Sequence, residues 1–104
     1  MIYKSLSYFL HGQSDGLFGY SYIHPSWNSE NLKDYENGLK IGLIQKSIKE
    51  NNFLNCTYED FYNQYNVHVW IKNKDRAISI LIKDKKDLKQ FKELTGIKSI
   101  RKQN

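Results

Sequence analysis

Over residues 2–10 the apolar positions Ile2, Leu6, Tyr8 and Leu10 share one face of an extended chain, which predicts a strand. Leu6, Phe9 and Leu10 are also spaced for a short helix. The next six residues, His11-Gly12-Gln13-Ser14-Asp15-Gly16, set two glycines and an aspartate between apolar runs and predict a turn. Residues 17–24 then read as a second strand, with Phe18, Tyr20, Tyr22 and His24 on one face. Pro25 stops it, because proline cannot donate to a ladder. Ser29 is placed to cap a short helix over residues 30–36, and Asn37-Gly38 to break or turn it. Leu43, Ile44 and Ile48 favour a helix over 43–51, while residues 38–42 stay open between strand and helix.

Thr57-Tyr58-Glu59-Asp60 resembles a capping box. Tyr58, Phe61, Tyr62 and Tyr65 follow at i, i+3, i+4 and i+7, the spacing of an amphipathic helix with an aromatic stripe. Val67, Val69 and Ile71 alternate with His68, Trp70 and Lys72, and after Asn73-Lys74-Asp75 the residues Ile78, Ile80 and Ile82 alternate again. This predicts an antiparallel hairpin with the valines and isoleucines inward and His68 and Trp70 outward. Asp84 can cap a last helix over 85–95, with Leu88, Phe91 and Leu94 apolar, Gly96 as a left-handed cap and Ile97 as its apolar contact. The expected fold is α+β. About four antiparallel strands form one sheet with two to three helices packed on one face, in the order β-β-α-α-β-β-α. Residues 1–97 form one domain and 98–104 a frayed basic tail.

Composition adds an asymmetry. Residues 1–60 hold five lysines against seven carboxylates, whereas 61–104 hold eleven Lys/Arg against four. Of fifteen Phe, Trp and Tyr, only Phe91 lies beyond Trp70. The basic residues Lys83, Lys85, Lys86, Lys89, Lys92, Lys98, Arg101 and Lys102 form a patch able to attract phosphate or an acidic protein. Lysine, asparagine, isoleucine and tyrosine share A/T-rich codons, so a low-GC genome accounts for part of that basicity. Fourteen lysines against two arginines suit phosphate attraction better than base reading. One cysteine, Cys56, excludes an internal disulfide framework and fits a reducing cytosol. No apolar run is long enough to cross a membrane, and residues 1–12 lack a secretory pattern, so a cytoplasmic location is expected.

The chemistry is sparse. His11 and His24, with Asp15 or Ser14, are the candidate acid–base groups of a small nuclease. Cys56 and His68 lack the paired spacing of a zinc site, and no glycine run suits a phosphate loop, so neither metal nor cofactor is expected. The stretch from Leu10 to Gly16 is faintly similar to the start of the LAGLIDADG homing-endonuclease motif. Leu17 and Phe18 stand where that family has its metal-binding aspartate and following glycine, so no residue is carried over. Tyr20, Tyr22, Trp27 and Trp70 are candidate partner-binding residues, because surface Tyr and Trp often carry interface energy. The sequence therefore points to a small non-catalytic binding protein, an inhibitor of the toxin-immunity or phage anti-defence type, whose partner is a protein with an acidic surface. Nucleic-acid binding through the lysine-rich end is the alternative, and a nuclease using His11, Asp15 and His24 the second.

Overall fold

In a computed structural model, which describes residues 1–72 and 76–103, the chain runs α1 (Leu6–Phe18), α2 (Ser29–Lys49), β1 (Phe53–Phe61), β2 (Gln64–Ile71), β3 (Ile78–Ile82), α3 (Lys85–Thr95) and β4 (Arg101–Lys102). The α+β class holds, with three helices on a four-stranded sheet. The order is α-α-β-β-β-α-β, not β-β-α-α-β-β-α. No helix among the described residues is long and apolar enough to cross a membrane.

The segment expected as strand, turn and strand is no hairpin. It is the single helix α1 followed by an irregular return, residues 20–28. Gly12 and Gly16 lie on one face of α1, and Gly38 and Gly42 on one face of α2. A Cβ at Gly12 would fall on the carbonyl oxygen of Tyr35, and one at Gly38 on that of Phe9. Gly16 and Gly42 meet each other's backbone. The glycines therefore let two helix backbones touch, which no larger residue permits. Contacts rise together along both helices, from Phe9 at Gly38 to Gln13 at Gly42, so α1 and α2 run parallel. That geometry requires a return segment. Gly19 starts it at φ 83°, with the Tyr20 amide donating to the Asp15 carbonyl at 3.1 Å to close the helix.

The expected break at Asn37-Gly38 is likewise absent, and 38–42 are helical within α2. A glycine inside a helix costs about 1 kcal/mol relative to alanine, but here it is the residue that admits α1. Asn28, not Ser29, is the cap, its side chain accepting the Asn31 amide at 2.8 Å. The helix ends at Lys49, and Asn51 takes a left-handed φ of 59° beyond it.

The aromatic stripe of Tyr58, Phe61, Tyr62 and Tyr65 is not a helix but a hairpin. β1 and β2 pair antiparallel in a register that brings Phe61 opposite Gln64, leaving Tyr62-Asn63 as a two-residue loop. Both loop residues have positive φ, 53° and 64°, as the hairpin-matched turn of this length requires. Sequence spacing of three and four residues thus coincided with a strand–turn–strand. Tyr58 and Tyr65 still meet, edge to face across the pair at 5.8 Å.

The β2–β3 hairpin is as predicted, with Val67 opposite Ile80 and Val69 opposite Ile78. Its turn, Asn73-Lys74-Asp75, lies outside the described residues. The sheet order is β3-β2-β1-β4, and β4 runs parallel to β1, so the sheet is mixed rather than wholly antiparallel. Arg101 and Lys102 pair with Thr57 and Tyr58, so the end expected to fray is tied to the sheet. α3 is capped by Asp84 and closed by Gly96 at φ 76°, as expected, and carries the chain from the β3 edge to the β4 edge. The core joins Val67, Val69, Ile80 and Ile82 of the sheet to Ile41 and Ile44 of α2, Phe91 of α3 and Phe9 of α1. Burying each aliphatic side chain contributes about 1.5–3 kcal/mol.

Candidate protein-binding surface

α1 packs on α2 through Phe9, Gly12, Asp15 and Gly16, which turns Leu6, Leu10 and Leu17 to solvent. The helix contains no lysine, arginine or glutamate, and its one carboxylate, Asp15, is buried. At its end Phe18, 72% exposed, stacks on exposed Tyr20 at 6.3 Å, and Tyr22 and Ile23 of the return segment are exposed as well. Seven of the twelve exposed large hydrophobic residues lie between Leu6 and Ile23. Grouping, not number, makes this a candidate site. Scattered exposed leucines are ordinary, whereas exposed apolar residues concentrated on one helix and the segment that follows it are what an interaction surface offers.

A polar anchor beneath this surface fixes its shape. The Asp15 carboxylate accepts a hydrogen bond of 2.6 Å from the hydroxyl of Tyr35, which is wholly buried on α2. That hydroxyl accepts the Tyr22 amide at 2.7 Å. One phenol therefore ties α1, α2 and the return segment together. Burial, reinforced by the Asp15 hydrogen bond, pushes its pKa above the usual tyrosine value. Trp27 lies 4.9 Å from Tyr35 and 5.4 Å from Tyr8 between ring centroids, so it is a half-buried clamp more than a free contact.

The other candidates separate. His11 reaches Asp15, with Nε2 3.6 Å from the carboxylate, and its ring lies edge-on to Trp27 and Tyr35. His24 turns instead to Ser26, its Nδ1 2.6 Å from the hydroxyl. The structure thus brings together two of the three proposed catalytic residues and engages the third elsewhere. Trp70 and His68 lie on the sheet face away from the helices. The Trp70 indole donates to Thr57 Oγ1 at 3.1 Å and His68 Nδ1 lies 2.8 Å from Ser79 Oγ, so both are half-buried rather than simply exposed. All eight residues of the basic patch are exposed, and among the described residues none lies within 4 Å of a carboxylate. They divide between α3 with its flanks and the β4 edge. Among the described residues no group of three His, Cys, Asp or Glu could hold a metal ion.

Tyr20 and Tyr22, expected as candidate contact residues, are exposed; the exposure of Leu6, Leu10, Leu17, Phe18 and Ile23 beside them was not foreseen. Their signal was a charge-poor stretch with apolar positions on two helical faces, which alternation had masked. Compared with protein-family models, curated proteins and solved structures, the chain matches none.

Proposed function

We propose that this chain is a non-catalytic protein-binding module, a stand-alone inhibitor of the toxin-immunity or phage anti-defence type. It works by covering a surface of its partner. The observation that carries the reading is the grouping of Leu6, Leu10, Leu17, Phe18, Tyr20, Tyr22 and Ile23 on one helix and its return segment. Rigid, desolvated aromatic and aliphatic anchors supply most of the energy in protein interfaces. The exposed lysines of α3, which among the described residues pair with no carboxylate, would add long-range attraction to an acidic partner surface, acting on association rate more than on affinity.

The test is size-exclusion of host lysate with tagged protein. A stoichiometric protein partner is expected with the wild type and is expected to be lost with Leu10→Lys/Phe18→Lys. Retention of the partner by that variant removes the reading. Nucleic-acid binding is the second reading, favoured by eight exposed basic residues that pair with no carboxylate among the described residues. It predicts a steep fall in affinity with added salt and loss of binding in Lys85→Glu/Lys89→Glu/Lys92→Glu. A nuclease role for His11 requires that His11→Ala abolish RNA degradation; unchanged degradation excludes it.

A further inference from the structure

β3 is an edge strand with an unoccupied side. It pairs with β2 alone, and among the described residues no backbone hydrogen bond reaches it from a loop or helix on its other side. Its sequence, Ile78-Ser79-Ile80-Leu81-Ile82, sets three isoleucines on one side and contains no proline, glycine or charge. Such an edge presents a row of unpaired amides and carbonyls, and proteins commonly blunt it with a charge, a proline or a bulge. Here no blunting residue lies within the strand.

The strand is also nearly symmetric about Ile80. In an antiparallel pairing of two β3 strands around a two-fold axis at Ile80, each Ile78 faces the other copy's Ile82. Each Ser79 faces the other copy's Leu81. Side chains on the helix side then meet only isoleucine, which extends the buried face across the junction. Continued outward two residues each way, the same register sets Arg76 opposite the other copy's Asp84, twice by symmetry. Asp84, two residues beyond the end of β3 at Ile82, is itself extended, with φ −153° and ψ −178°. Arg76 and Asp84 are both exposed, and among the described residues neither has an ion-pair partner within 4 Å. We infer that the chain forms a homodimer by antiparallel β3–β3 pairing, which joins two four-stranded sheets into one of eight strands. The occupant of the edge is a second copy, because register and charge are self-complementary.

This interface does not involve the α1 surface, so its failure and that of the proposed function are separable. The test is sedimentation equilibrium together with amide hydrogen exchange on the full chain. The wild type is expected to be a dimer, with the amides of β3 protected on both sides of the strand. Arg76→Glu places like charges opposite each other at both ends and is expected to weaken the dimer about tenfold. Arg76→Glu/Asp84→Asn removes that repulsion while retaining a good helix cap, and is expected to recover most of the loss. A monomer with fast-exchanging β3 amides overturns the inference. So does a dimer unaffected by Arg76→Glu, or one broken by Leu10→Lys, which would place the contact on α1.

Discussion

Tyr62 holds a backbone conformation that an aromatic L-residue adopts at a cost of about 1–2 kcal/mol. Its side chain is 87% exposed and lies edge-on to Phe61, at 4.4 Å between ring centroids. Replacing the loop by Asn-Gly, in Tyr62→Asn/Asn63→Gly, should raise stability by about 1 kcal/mol, read as a shift in urea midpoint at unchanged slope. Tyr35 acts in the opposite sense. Tyr35→Phe leaves the buried Asp15 carboxylate short of a donor and the Tyr22 amide without its acceptor, at a cost of about 1–3 kcal/mol. Faster exchange of the Tyr22 amide in that variant would show that the phenol, and not packing alone, holds the return segment. Cys56 is fully buried, and burial pushes its thiol up to about 12. The thiolate is the reactive form, so at pH 8 alkylation of the native protein should be slow and should accelerate sharply on unfolding. Alkylation at the rate of a free thiol under native conditions would contradict that burial.

At the scale of elements, the α1–α2 junction is the most sensitive part of the structure. Gly12→Ala or Gly38→Ala drives a Cβ into a backbone carbonyl, which has no side-chain rotamer to relieve it. Each should cost about 3 kcal/mol or more. Gly96→Ala meets nothing within 4 Å and pays only for its left-handed φ, about 1 kcal/mol. Equal losses at the three sites would argue against backbone contact between the helices. The same junction explains which elements could be read from the sequence. The β2–β3 hairpin and α3 were legible because each buries a single face, and Asp84 and Gly96 mark the ends of α3 by local chemistry. α1 was not, because its glycines answer to a partner helix rather than to the local chain, and its apolar residues lie on both faces, Phe9 buried and the leucines exposed. The hairpin of β1 and β2 was hidden for another reason. Tyr62-Asn63 lacks the glycine that signals a two-residue turn, and four rings happened to fall at helical spacing. The candidate surface follows the same logic: alternation places Phe18, Tyr20 and Tyr22 on one strand face, but Phe18 ends a helix and the tyrosines leave it.

For the whole molecule, the division between an aromatic first half and a lysine-rich second half becomes a division in space. The apolar α1 surface lies on the α2 side away from the sheet, while the lysines follow α3 and the β4 edge. These two surfaces give the molecule separable responses. Reversing charge in Lys85→Glu/Lys89→Glu/Lys92→Glu should slow association with an acidic partner at low salt, and the difference from wild type should vanish at high salt. Altering the α1 face should instead shorten the lifetime of the complex at any salt. The most direct measurement is therefore recovery of a stoichiometric protein partner from host lysate by size-exclusion, run in parallel for wild type, the α3 charge-reversal variant and Leu10→Lys/Phe18→Lys. A partner held by the first two and lost by the third is the predicted result. A partner retained by Leu10→Lys/Phe18→Lys, or nucleic acid recovered in place of protein and lost on α3 charge reversal, would contradict it.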